Sequence, residues 1–219
     1  MYKSFVMLDD FYPDPDRVRR LALEDDFPPV EGQITFPGRN SRKKFLIQGL
    51  DQVVSQVLGE PVTAADRPGA FHGHFRITQE GQSSRYDVHA DPTYMWWVGL
   101  VYLNLPGQCQ GGTAFFRHRA LDSDRVPLHK EDLERVGVGS VAELLQRDGK
   151  DQNAWEHLMT VPMRYNRAVL YRPWMWHTAT NGFGHSPEEA RLIHLLAFCR
   201  PNPGPARAPN QNTGGTAGA

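Results

Sequence analysis

Near the start of the chain, Val18, Leu21 and Ala22 recur at helical spacing after Asp14-Pro15-Asp16, which supplies an N-cap carboxylate and a first-turn proline. This pattern predicts a helix in VRRLALEDDF that packs on a core. A second amphipathic stretch, Leu50 to Leu58, stops at Gly59 and Pro61 and predicts another packing helix. From Ala70 the texture changes to short β-rich segments, AFHGHFRIT, MWWVGLVYLNL and TAFFRH, with glycine-rich punctuation between them. Residues from about 120 to about 155 are polar and helix-prone, carrying HKEDLERVG and SVAELLQRDG. They read as an insertion, because strand texture returns in RAVLYRP and RLIHLLAFC.

β-segments on both sides of an insertion belong to one structure, and two sheets closing over one core is the expected outcome. The expected organisation is a single domain over residues 1–200. From 201 to 219 the sequence has almost no large apolar residue to offset its ordering entropy, which predicts a disordered tail. No period of about 20 to 50 residues suggests a solenoid or propeller.

Composition narrows the partners. With 40% apolar and 22% charged residues among 219, a sizeable core can form. Net charge is −1, from 24 basic against 25 acidic side chains, which gives no electrostatic footprint for nucleic acid or an anionic membrane surface. The start MYKSFVMLDDFYPDPD lacks a long apolar stretch and no later run approaches a membrane span, so a cytoplasmic location is expected. Cys109 and Cys199 alone make neither a disulfide framework nor a four-ligand zinc site. Any metal must then use histidine and carboxylate.

The segment Tyr86-Asp87-Val88-His89-Ala90-Asp91 sets an imidazole and a carboxylate two residues apart, on one face if the chain is extended there. Alone, such a pair also fits a surface contact or a hydrogen-bonded core pair. A third ligand from a distant strand would complete a facial triad with open positions opposite, and His177 in YRPWMWHT is the candidate. Fourteen residues later (191 − 177), Arg191 opens an apolar strand on the same face as Ile193, Leu195 and Ala197. An unpaired guanidinium pointing inward there would be several kcal/mol unfavourable. A ligand carboxylate gripped bidentately removes that penalty, as would a cap at the sheet end or a protein acid.

The order HxD, distal His, then a basic residue on the next strand resembles the iron(II)/2-oxoglutarate-dependent oxygenases, nearest their prolyl-hydroxylase-like branch, over roughly residues 70 to 200. Tyr86, three residues before His89, and Tyr102, opening Tyr-Leu-Asn, stand where that branch places its pocket tyrosines, and Gly111-Gly112-Thr113-Ala114-Phe115 resembles its glycine turn. The resemblance implies a mainly β fold with flanking helices, a double-stranded β-helix of jelly-roll or cupin-like form. It implies Fe(II) on His89, Asp91 and His177, with 2-oxoglutarate and O2 as cosubstrates. Arg191 and Tyr102 would hold the distal carboxylate of 2-oxoglutarate, with Tyr86 near the metal. Oxidative decarboxylation to succinate and carbon dioxide would then be coupled to oxidation of a C–H bond in an amino acid, a peptidyl side chain or a natural-product intermediate, with hydroxylation as the default and desaturation, epoxidation or ring formation using the same ligands. Asp91 argues against halogenation, since related halogenases have a small residue there.

Two features depart from that pattern. The His177-to-Arg191 spacing is longer than in compact members, with NGFGHSPEE between, which leaves Arg172 and Arg200 as alternatives; the insertion has no counterpart and suits either a lid beside the site or a structural decoration. Trp96, Trp97, Trp174 and Trp176 suit a pocket wall or, more commonly, a core, and Arg85, Arg117 and His118 suit substrate orientation or structural roles. Other function classes are a cupin-like isomerase using His72-Gly73-His74, whose Glu80 comes late for cupin spacing, and a non-catalytic binding module. Oligomeric state is not encoded in any of these features.

Overall fold

The computed structural model describes residues 2–29, 36–65, 67 and 70–201. The expected tail, apart from Pro201, lies outside the described residues. Its elements in chain order are β1 (Phe5–Leu8), α1 (Pro15–Leu23), β2 (Arg39–Lys44), α2 (Leu50–Leu58), β3 (Thr63–Ala64), β4 (His74–Thr78) and β5 (Trp97–Tyr102). They continue with β6 (Gly112–His118), α3 (Lys130–Arg135), α4 (Val141–Asp148), β7 (Trp155–Pro162), β8 (Ala168–Tyr171), β9 (His177–Ala179) and β10 (Arg191–Cys199).

The chain is mainly β, with antiparallel pairing throughout. The larger sheet runs β1-β8-β5-β10-β4-β2, with β3 added to β10, and the smaller runs β7-β6-β9. Among the described residues the pairing leaves edges at β1, β2, β7 and β9, so these ladders stop short of the closed barrel that the sequence suggests.

Strand β10 shows how the layers form. Its period of two sends Leu192, Leu196 and Phe198 into one cluster with Val18 and Ala22 of α1 and Leu50, Val54 and Leu58 of α2. Ile193, Leu195 and Ala197 face the other way, into a cluster with Phe115 and Val161 of the smaller sheet. The two helices therefore cover one face of the larger sheet and the smaller sheet packs on the other. Each fully buried Leu or Val of α2 contributes roughly 1.5–3 kcal/mol by leaving water. Helix α1 starts as its sequence dictates: Asp14 accepts from Arg17 N at 3.0 Å, with Pro15 in the first turn.

The polar stretch between β6 and β7 forms α3 and α4 over a small core of its own, including Leu133, Leu144, Trp155 and Trp176. His118 at the end of β6 ties it down, donating from Nε2 to Asp148 Oδ2 at 2.9 Å and accepting from Leu121 N at Nδ1. Three strands lack any legible period. Strand β2, RNSRKK, is polar throughout and is held by pairing with β4; β1 and β7 are edge strands, and β7 exposes Leu158 and Met159. The strand expected from Ala70 begins only at His74, because Gly73 has φ +83° and turns the chain.

Candidate metal centre

His89, Asp91 and His177 come together with ligand atoms all within 4.8 Å of one another, the single such metal-capable group among the described residues. Donors about 2.1 Å from a shared ion stand roughly 3 Å apart in an octahedral face, so modest closure would suffice to share one. His177 Nε2 is already 3.4 Å from Asp91 Oδ2.

The expected extended strand under His89 and Asp91 is absent. That segment is a loop fixed at single points: His89 and His177 exchange backbone hydrogen bonds at 3.0 and 2.9 Å, and Asp91 N donates to Pro173 O at 2.8 Å. Its preceding turn is held by the insertion, since Asp87 N and Val88 N both donate to Gly149 O at the end of α4. The insertion thus anchors the ligand loop, and it lends Val126, Val141 and Leu145 to the wall of the same cavity.

His177 is 4% exposed; its Nδ1 donates to Met175 O at 2.9 Å, which turns Nε2 toward Asp91. Burial holds both imidazoles down at about 4, reinforced for His89 by the neighbouring His177, so both are neutral at pH 7 with lone pairs available to a metal. Burial pushes Asp91 upward, opposed by His89 and Arg76. Tyr171, raised well above the usual tyrosine range by burial, stays protonated and donates to Asp91 Oδ2 at 3.5 Å. This donor set of two neutral imidazoles and one carboxylate fits a divalent iron ion.

The cavity holding these ligands measures about 650 Å³ and is walled by Phe71, Met95, Val98, Leu100, Ile193 and Leu195. Arg191 reaches it at 1% exposure, and its Nε and Nη2 are buried without hydrogen-bond partners. Its Cζ lies 5.7 Å from the Tyr102 ring. Tyr102, fully buried, bonds through its hydroxyl to Thr113 Oγ1 at 2.8 Å. Tyr86 lines the same cavity beside Gly149.

The alternatives to Arg191 have other work. Arg172 donates to Glu60 Oε1 at 2.6 Å, with Trp96 and Trp97 stacked at 4.4 and 4.0 Å, and Arg200 lies over Trp96 at 3.4 Å. Trp96, Trp97 and Trp174 therefore pack around Arg172, and Trp176 sits in the insertion's core; none of the four walls the cavity. Arg117 pairs with Asp122 and Arg85 stacks on Tyr86. His72 Nδ1 accepts from Ala197 N at 3.0 Å, and His74 Nδ1 donates to Ser41 O at 2.9 Å, so the alternative histidine pair is held by the backbone and not by a metal cluster. An Arg172→Met variant should lose about 3 kcal/mol of stability in urea unfolding, because a buried charge pair is broken. Its cosubstrate affinity should match wild type; a weakened affinity would give the cosubstrate role to Arg172.

Two residues of the cavity went unmarked in the sequence. Arg76 donates from Nε to Asn40 Oδ1 at 2.7 Å and stacks on Phe36, with Cζ 3.6 Å from the ring centroid. Tyr171 is the other, and its alternation with Val169 in β8 already places it on the inner face.

The neutral histidines also set an acid limit. His194 is fully buried: Tyr12, kept protonated by burial, donates to its Nδ1 at 2.6 Å, and its Nε2 donates to Phe45 O at 3.1 Å. Burial holds His194 down at about 3. For all three histidines the unfolded chain binds more protons at intermediate pH, so their stabilisation is complete above the ordinary value near 6.5 and is lost as pH falls toward 4. Asp91, shifted up, acts in the opposite sense with one proton against three. The unfolding free energy of the metal-free protein should fall steadily from pH 6.5 to 4.5, by up to about 1.4 kcal/mol per pH unit per imidazole, and the thermal midpoint should fall with it. A flat midpoint over that interval would refute the neutral assignment.

A family model described as a family of unknown function, DUF6445, matches residues 2–193. No curated protein matches the chain. Among solved structures, the non-heme alpha ketoglutarate dependent carbocyclase SnoK from nogalamycin biosynthesis aligns with TM-score 0.53 and 12% identity, covering 90% of this chain and 80% of that one. AviO1 from Streptomyces viridochromogenes Tue57 aligns with TM-score 0.49 and 14% identity, covering 92% and 91%. At 12% identity the likeness to SnoK carries the fold. No helix among the described residues is long and apolar enough to cross a membrane.

Proposed function

We propose that this chain, which belongs to the DUF6445 family, is an iron(II)- and 2-oxoglutarate-dependent oxygenase of double-stranded β-helix form, nearest the prolyl-hydroxylase-like branch. The observation that carries this reading is Arg191, whose two partnerless buried nitrogens open into the same cavity as the His-Asp-His cluster. A buried guanidinium without an acceptor is strongly unfavourable unless a ligand supplies one. A dicarboxylic keto acid satisfies both ends of the arrangement: one end chelates a metal, and the other offers a planar carboxylate to a fork of donors. SnoK, which shares the fold, is an alpha ketoglutarate dependent enzyme.

In this reading His89, Asp91 and His177 hold iron(II), Arg191 with Tyr102 holds the far carboxylate of 2-oxoglutarate, and Tyr86 lines the pocket near the metal. Iron(II) with 2-oxoglutarate and O2 supplies an oxidation that yields succinate and carbon dioxide and oxidises a substrate C–H bond, with hydroxylation as the default outcome. The chain's part is positional. Met175 O fixes the His177 ring, Tyr171 keeps its proton and steadies Asp91, and the apolar walls exclude water from the reacting centre. The substrate is a small molecule or peptidyl side chain, handled in the cytoplasm by one domain spanning residues 1–200.

Anaerobic titration of the metal-free protein with iron(II) and then 2-oxoglutarate tests this. A weak visible charge-transfer band that saturates with cosubstrate is expected; its absence at saturating iron would remove the oxygenase reading and favour a non-catalytic binding module.

A further inference from the structure

The charges around the cavity do not balance once the cofactors are in place, and the remainder points to the substrate. Among the described residues the charged walls are Arg76, Arg191 and Asp91, while His89 and His177 count as neutral imidazoles when they hold a metal. Two guanidinium cations and a divalent metal against one carboxylate leave three positive charges. The two carboxylates of 2-oxoglutarate cancel two, and one half-buried cation remains on the wall of a mostly apolar cavity, where it favours an anionic group on whatever ligand enters.

That cation is Arg76. Ile193 pairs with Arg76 and Thr78 with Arg191 across the β4–β10 ladder, so both arginines stand on the inner face as diagonal neighbours, roughly 7–8 Å apart at the backbone. They are separate sites on one wall. Arg76 is also held in advance: its Nε is engaged by Asn40 Oδ1 at 2.7 Å, and its plane lies on the Phe36 ring at 3.6 Å. Among the described residues Nη1 and Nη2 have no hydrogen-bond or ion-pair partner. An arginine pinned at Nε and stacked on one face presents its two terminal nitrogens as a planar fork, the geometry that a carboxylate accepts bidentately.

We infer that Arg76 binds the primary substrate, and that the substrate is a small organic acid whose carboxylate lies on Nη1 and Nη2 while its apolar part lies toward Phe71, Val98 and Leu195. One carboxylate closes the charge balance, whereas a phosphate dianion would overshoot it. The inference rests on the iron and 2-oxoglutarate reading, and the test separates the two.

The probe is phenylacetate, with phenylacetamide as its neutral counterpart, titrated calorimetrically into the anaerobic iron(II)·2-oxoglutarate complex of wild type, Arg76→Gln and Arg76→Lys. Wild type should bind phenylacetate with a millimolar or tighter Kd and the amide at least about tenfold more weakly. Arg76→Gln should lose at least about tenfold for phenylacetate while its charge-transfer band saturates at the wild-type 2-oxoglutarate concentration. Arg76→Lys keeps the charge but not the fork and should fall between them, which decides the matter if the Gln variant does not fold. No phenylacetate binding by wild type, equal binding of acid and amide, or undiminished binding by the variants overturns the inference alone. A band in Arg76→Gln that needs far more 2-oxoglutarate also overturns it, by assigning Arg76 to the cosubstrate. No band in wild type overturns the cofactor reading and this inference with it.

Discussion

A His177→Ala variant is expected to lose iron(II) affinity by more than about 100-fold, beyond the range that loss of an outer-shell partner produces, and with it the charge-transfer band at any 2-oxoglutarate concentration. His177 offers one of three candidate ligand atoms within 4.8 Å of one another, and its Nε2 stands 3.4 Å from Asp91 Oδ2. With Ala at this position the remaining imidazole and carboxylate hold a divalent ion no better than many surface pairs. The fold should survive, because the link between the two ligand segments is made by the backbones of residues 89 and 177. Circular dichroism matching wild type, together with iron loss in equilibrium dialysis, is the expected pair of results. Iron retained at wild-type affinity would show that the His-Asp-His cluster is not the metal centre.

How far this site could be read from the sequence depends on whether local pattern or tertiary contact sets each residue's direction. Arg191 was legible because β10 is apolar on both faces, so a guanidinium in it stands out and its alternation with Ile193, Leu195 and Ala197 gives its side. The same signal exists at Arg76, between Phe75 and Ile77 in β4, both buried on the helix-covered face. It was obscured by neighbours of mixed character, His74 and Thr78. The spacing of His89 and Asp91 does not tell strand from loop, because two residues of spacing look alike in a strand and in a loop pinned at its ends. What fixes this loop is Gly149 O, about sixty residues later in sequence, together with His177 and Pro173. No local window contains those contacts. The tryptophans around Arg172 illustrate the converse: aromatic clustering near ligand segments came from a buried ion pair with Glu60, a packing requirement that has no sequence period. The insertion's two helices were legible from their apolar spacing, but their role in holding the ligand loop was not.

The second large effect should be seen at Arg191, and it has opposite signs with and without ligand. Without 2-oxoglutarate, Arg191 is a buried cation whose Nε and Nη2 have no partner, lowered from the usual arginine range by burial. Replacing it with methionine removes two unsatisfied donors and a desolvated charge while retaining most of the side-chain volume, and such replacements are often neutral or stabilising by about 1–4 kcal/mol. Arg191→Met should therefore unfold at the same or a higher urea concentration than wild type when both are ligand-free. With cosubstrate the order reverses. Loss of the guanidinium leaves the carboxylate without its forked donor, beside a Tyr102 hydroxyl already shared with Thr113, and truncating one partner of a buried charge pair is unfavourable by about 2–5 kcal/mol. The 2-oxoglutarate concentration that half-saturates the charge-transfer band should then rise by roughly 30- to several-thousand-fold, at 1.4 kcal/mol per tenfold. Iron affinity should be unchanged, since the proposed ligands His89, Asp91 and His177 are untouched. A variant destabilised without ligand and unaltered in cosubstrate affinity would make Arg191 a structural residue, and the partnerless nitrogens would then need another acceptor.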